Sequence, residues 1–119
     1  MKISWLSYLR IFLPVVFIFI FITVNSQDGE KLFKVNCAAC HHPIKNSTGP
    51  KMQGVKEKWE SAGEGDLIYK WVKDPNSLYN SGKSKLAKAI WDFSPTAMPP
   101  IGHLSNEEID AVFSYVDSY

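Results

Sequence analysis

An all-α fold of about four short helices is what this sequence predicts, and three observations carry that expectation. Apolar residues recur at helical spacing in four stretches, 28–40, 66–73, 85–93 and 105–116. The segments between them are rich in Pro, Gly, Asn and Ser, which punctuate rather than extend structure. No strand-like alternation precedes Cys37. A chain of 119 residues suffices for one small domain, and no internal repeat is visible. The formal net charge is +1; beyond residue 26 the chain keeps 11 cationic and 12 anionic side chains. That balance gives no nucleic-acid footprint.

The N-terminus reads as a targeting segment. Lys2 and Arg10 precede an apolar run from Ile11 to Val24, broken only by Thr23, and Val24-Asn25-Ser26 offers acceptable cleavage residues. The run is 14 residues long. At about 1.5 Å per residue it reaches about 21 Å, short of a hydrocarbon core of about 30 Å. Counting residues 5–24 lengthens it, but Arg10 then has to snorkel. Residues 1–26 are therefore expected to be a signal peptide or an uncleaved membrane anchor, and residues 27–119 an exported domain.

The first helix is expected over Asp28–Cys40, with Asp28 and Glu30 near its positive end. Gly29, Phe33 and Cys37 fall along one stripe. Glycine in a first turn costs helix stability, so close approach of another helix is the expected reason for Gly29. The helix runs into Cys37-Ala38-Ala39-Cys40-His41, the pattern for covalent attachment of a c-type haem. Residues three apart share a helix face, so both thiols reach one planar ligand. A zinc site wants about four ligands, and no second cysteine pair exists. A thioredoxin-like dithiol wants a βαβ context that the sequence lacks. Both cysteines are used by the motif, which leaves no disulfide to staple a small domain; a covalently held haem offers an apolar surface to fold around instead.

The stripe Gly29-x-x-x-Phe33-x-x-x-Cys37-Ala38-Ala39-Cys40-His41 resembles the first helix of class I cytochromes c, and the likeness extends over residues 28–118. It implies a small cytochrome c fold whose N- and C-terminal helices cross and whose helices wrap one haem c. His41 is then the proximal iron ligand. Thr48-Gly49-Pro50 is similar to the family's proline loop, which implies that the Pro50 carbonyl accepts a hydrogen bond from the other nitrogen of His41 and so fixes its orientation. Met52 stands where the family often has Leu; haem packing is the expectation, iron ligation the alternative.

The remaining elements follow in order. Lys56–Gly65 is polar apart from Trp59 and reads as an irregular connector. A helix over Asp66–Lys73 places Trp71 where it packs on the haem or donates to a propionate, with plain core packing as the alternative; Asp74-Pro75 stops it. Asn76–Lys83 reads as a loop. Lys85–Phe93 is a short helix with Leu86, Ala89, Ile90 and Phe93 as its apolar set. Lys83, Lys85 and Lys88 around it read as a solvated face or as a docking patch for an acidic partner. Ser94-Pro95-Thr96-Ala97-Met98-Pro99-Pro100 cannot be helix or central strand. It resembles the family's distal-ligand loop, which implies Met98 as the second axial ligand; His103, five residues on, is the rival, with Met52 a further alternative. His42 is expected to be exposed. Ser105 to Glu108 forms a capping box for the last helix.

A thioether is a soft, neutral ligand that favours ferrous iron, and two bound ligands leave no open iron position. No nucleophile motif or phosphate loop is present, and no small-molecule substrate is expected. The reading is an exported, monomeric one-electron carrier. The resemblance implies respiratory donor and acceptor proteins as partners and electron exchange at a haem edge near Cys37 and Cys40. A haem c subunit of a larger oxidoreductase and a gas-binding sensor are the alternatives. With Cys37→Ser and Cys40→Ser combined, intact mass of the exported protein should show complete loss of the haem adduct; an unchanged adduct would refute the attachment turn.

Overall fold

The computed structural model describes residues 25–94 and 96–119. The expected targeting segment lies almost wholly outside them, and its expected boundary after Ser26 falls in the first turn of the first helix. Among the described residues the regular structure is all helical: α1 (Asn25–Asn36), α2 (Val55–Ser61), α3 (Leu67–Lys73), α4 (Pro75–Asn80), α5 (Lys85–Phe93) and α6 (Asn106–Asp117). None of these helices is long and apolar enough to cross a membrane.

Six helices replace the expected four because two short ones are hidden in polar sequence. Lys56–Gly65 is not irregular. Gly54, at φ 74°, turns the chain into α2, and α2 buries its single large apolar residue, Trp59, to 1% exposure. Likewise Asn76–Lys83 is not simply a loop. Asp74-Pro75 stops α3 and also starts α4: the Asp74 carboxylate accepts from Ser77 N at 3.0 Å, and Pro75 at the first position gives up no helical hydrogen bond. α1 ends at Asn36, earlier than Cys40. α5 has the expected bounds but a different buried face. Ala87 is fully buried and Leu86, Ile90 and Trp91 half-buried, while Ala89 and Phe93 are exposed. Stacking of Trp91 on Tyr79 of α4, centroids 4.5 Å apart, turns the helix that way.

α6 is the hub. Ser105 and Glu108 form the expected capping box at its start. Ile109, Val112, Phe113 and Val116 make one continuous buried stripe at helical spacing. Each contributes at most about 1.5–3 kcal/mol by burial. Val112 and Val116 pack with Phe33 and Cys37 of α1 and its attachment turn, while Ile109 and Phe113 join Trp59, Ile68 and Trp71 in a larger cluster. The polar side of α6 ties down two more helices and a turn. Asp110 accepts from Lys56 Nζ of α2 at 2.6 Å and from Tyr69 OH of α3 at 2.8 Å. Asp117 accepts from Gly54 N at 2.7 Å.

Gly29 marks where α1 crosses α6. A Cβ there would overlap the Ala111 carbonyl oxygen and stand 3.1 Å from Tyr115 Cβ. Phe33, one turn on, meets the Tyr115 ring at 5.6 Å between centroids. Gly29→Val should therefore destabilise the holoprotein by about 1–3 kcal/mol through overpacking. The melting temperature should fall about 4–8 °C per kcal/mol; one within error of the parent would refute this packing.

Glu64 clamps the start of α5. Its carboxylate accepts from the buried Ser84 hydroxyl, from Lys85 N at 3.0 Å and from Leu86 N at 3.4 Å, while Ser84 Oγ caps Ala87 N at 2.9 Å. Hydrogen bonds, Ser84's first among them, hold the Glu64 carboxyl below its ordinary 4.5. A depressed carboxylate stabilises the fold above its unfolded value, and that contribution disappears as pH falls through the folded value. Glu64→Gln should thus lower the melting temperature at neutral pH. The gap to the parent should narrow below about pH 4.5; a gap unchanged down to pH 3 would show that the charged form contributes nothing.

Candidate haem site

The attachment motif forms a single tight turn directly after α1. Cys37 N donates to Phe33 O at 2.8 Å, Cys40 N to Cys37 O at 3.1 Å and His41 N to Cys37 O at 2.9 Å. The last bond keeps helical register, so Cys37, Cys40 and His41 stay on one side of the turn even though α1 has ended. Cys37 is buried, and burial pushes its thiol up to about 11, so it packs as a neutral group among Phe33, Val112 and Val116. The Cys40 carbonyl draws in the next loop, accepting from Gly49 N at 2.7 Å and from Ser47 Oγ at 2.6 Å.

That loop clamps His41 from two directions. His41 Nδ1 donates to the Pro50 carbonyl at 2.8 Å. A carbonyl only accepts, so this contact puts the proton on Nδ1 and leaves Nε2 with a free lone pair. Gly49 lies against the imidazole. A Cβ on it would stand 2.7 Å from Nδ1 and 2.8 Å from Nε2, inside the ring's contact distance. Glycine at 49 is thus required by close approach to the ring.

His41 lines an apolar cleft that opens to solvent. All seven residues singled out from the sequence line it: Cys37, Cys40 and His41 from the turn, Pro50 and Met52 from the loop, Trp71 from α3 and Met98 from the segment after α5. Met98 is half-buried and packs on the larger core cluster, and its segment is anchored where Ile101 N donates to Val72 O at 3.0 Å. His103 does not line this cleft. It is exposed, with Nε2 3.2 Å from Asn36 Oδ1. His42 is not fully exposed as expected: Nδ1 accepts from Ile44 N at 3.2 Å, and the ring meets Tyr119 edge-on at 5.8 Å.

The sequence reading missed Trp59 and Trp91, which also line the cleft. The one available signal was a large aromatic in an otherwise polar stretch. Trp71 packs beside Trp59, ring centroids 6.4 Å apart. The residues present fit a haem. Two thiols stand on one side of a turn, an oriented imidazole offers a free nitrogen, a methionine lines the same space, and the walls are aromatic and aliphatic.

Comparisons with known proteins agree with this fit. Over residues 24–116 the chain matches the family described as cytochrome c oxidase, cbb3-type, subunit III. Cytochrome c oxidase subunit 2 of Bacillus sp. (strain PS3) is 27% identical over 104 residues, which is 78% of this chain but 26% of that one. The chain thus spans about a quarter of that relative's length. Cytochrome c6 of Cyanidium caldarium is 28% identical over 94 residues, covering 79% of this chain and 71% of that one. Among solved structures, a cytochrome c from Rhodothermus marinus superposes with a TM-score of 0.60 at 25% identity, over 78% of this chain and 74% of its own. The cytochrome c domain of a Pseudomonas putida protein gives 0.57 at 25% identity, over 76% and 85%. The chain belongs to the cbb3-type subunit III family of cytochrome c domains, and it is a class I c-type cytochrome built around one covalently held haem c.

Proposed function

We propose that this cytochrome is an exported one-electron carrier whose haem iron is held by His41 on one side and Met98 on the other. The observation that carries the reading is convergence: the attachment turn, an imidazole with Nε2 unprotonated and Met98 line one apolar cleft, and His103 does not. When bound, the haem supplies a one-electron couple at its iron. The rest is the work of the chain. Cys37 and Cys40 tether the group. The Pro50 carbonyl orients His41 and raises its basicity. Trp59, Trp71 and Met52 give the cleft apolar walls that disfavour water. A filled coordination shell and fixed ligands suit electron transfer and leave no position for substrate chemistry.

Residues 1–26 are assigned as a signal peptide or membrane anchor and residues 27–119 as the exported cytochrome domain. Partners would be respiratory donors and acceptors. A second reading, a haem subunit of a larger oxidoreductase, is favoured by the family description and by the likeness to an oxidase subunit. Co-purification in fixed stoichiometry would select it; isolation as a free monomer would select the carrier.

The ligand test uses the holoprotein. Met98→Ala should abolish the near-infrared sulfur-to-iron band, lower the potential and let the reduced form bind carbon monoxide stoichiometrically, whereas Met52→Ala should do none of these. The reverse pattern would put Met52 on the iron. Carbon monoxide binding to the unmodified reduced protein at neutral pH would replace the carrier with a sensor.

A further inference from the structure

His103 was a rival iron ligand in the sequence and is placed elsewhere in the fold, yet it reaches the haem site through one residue. Asn36 ends α1 and directly precedes Cys37. It lines the haem cleft and also a second groove on the outer side of the α1–α6 crossing. Its amide orientation is fixed at both ends. Nδ2 donates to Leu32 O at 2.9 Å, so Oδ1 is the atom 3.2 Å from His103 Nε2 and must accept from it. The imidazole therefore carries a proton on Nε2, and only Nδ1 is free to gain or lose one. The hydrogen bond survives in both protonation states while the charge does not.

The groove around His103 is itself charged. From α1, Asp28 and Lys31 line the groove; from α6, Glu107 and Glu108 do. Behind the loop, Lys73 of α3 is occupied with Asn106 Oδ1 at 2.6 Å. Three carboxylates against Lys31 leave the groove acidic. His103 also lies beside Asn36, the last residue of α1, at the negative end of that helix. Histidine is the side chain whose charge ordinarily changes between about pH 5 and 8.

We propose that His103 is a proton-responsive positioning residue for the haem: it binds a second proton at Nδ1 more tightly while the iron is reduced, and so makes the reduction potential depend on pH near neutrality. The sign follows from charge. Oxidation adds one positive charge at the iron, and a protonated His103 opposes it across Asn36. The potential therefore falls as His103 loses its proton and is flat above. His103 stands at the solvent boundary, so the coupling is modest and salt-dependent. A change of about threefold in its proton affinity between the two states corresponds to about 28 mV, at about 59 mV per tenfold.

The inference rests on the haem reading of the cleft and not on which group takes the distal position. The test is spectroelectrochemical titration of the holoprotein between pH 5 and 9, parent against His103→Gln, with the near-infrared band followed throughout. Proton NMR titration of the His103 ring in each oxidation state provides a readout that needs no variant. The proposal expects a potential that falls through the His103 titration in the parent, a flat profile over that range in His103→Gln, and a tighter proton in the reduced state. Overlaid profiles, or one proton affinity in both states, would overturn it and assign any slope to other groups such as the propionates. A low-spin spectrum altered in His103→Gln would put His103 on the iron, overturning this proposal and the Met98 assignment together. Absence of the sulfur band from the parent alone would remove only the Met98 assignment.

Discussion

An apolar cleft through the middle of a small domain is the constraint under which the other parts are arranged. A chain of this size has little core to spare, and the cleft divides what it has. One cluster, Phe33 with Val112 and Val116, lies at the α1–α6 crossing; the other, centred on Trp59, Ile68 and Trp71, lines the far wall. α6 belongs to both. The covalent haem is the group that joins them, because its apolar faces complete the burial that the side chains begin.

The polar contacts are placed where they keep the walls from closing. Asp110 holds α2 and α3 at a set distance from α6, and Glu64 fixes the start of α5. These bonds lie at the periphery, where water screens them and each contributes little alone. Their value is directional. They fix helix rotation, and helix rotation decides that Trp59, Trp71 and Trp91 present aromatic surface to the cleft.

Much of this was legible in the sequence because its signals are local. The attachment motif, the Ser105–Glu108 box and the bounds of α5 depend on residues a few positions apart. The Gly29 crossing was legible through a glycine that helix propensity cannot explain. The parts that were not legible depend on distant partners. α2 is polar and offers only Trp59 as a clue; burial of that ring among residues of α3 and α6 holds the helix, and Lys56 meets Asp110, 54 positions away, at its edge. α4 was obscured because Asp74-Pro75 is a stop for one helix and a start for the next, and local chemistry does not say which. Ala89 and Phe93 fit a helical stripe as well as Ala87 and Trp91 do, and the Tyr79–Trp91 stack decides between the two faces. His42 was expected to be exposed and His103 stood as a rival ligand for the same reason: sequence distance to a ligand does not report which way a ring faces.

The meeting of Gly29 with Ala111 has a kinetic side. It joins the two ends of the domain, closing a loop of about 80 residues, for which chain entropy alone asks about 4 kcal/mol. Nearly all of the cleft is contained within that loop. A group tethered at Cys37 and Cys40 travels with the end of α1, so docking α6 onto α1 closes the loop and the cleft in the same step. Because α6 supplies buried residues to both core clusters, opening this clasp gives up most of the core and accompanies unfolding of the whole domain. Transient exposure of the haem pocket in the native protein would then come from the half-buried loops around the cleft, with the terminal-helix pair staying closed.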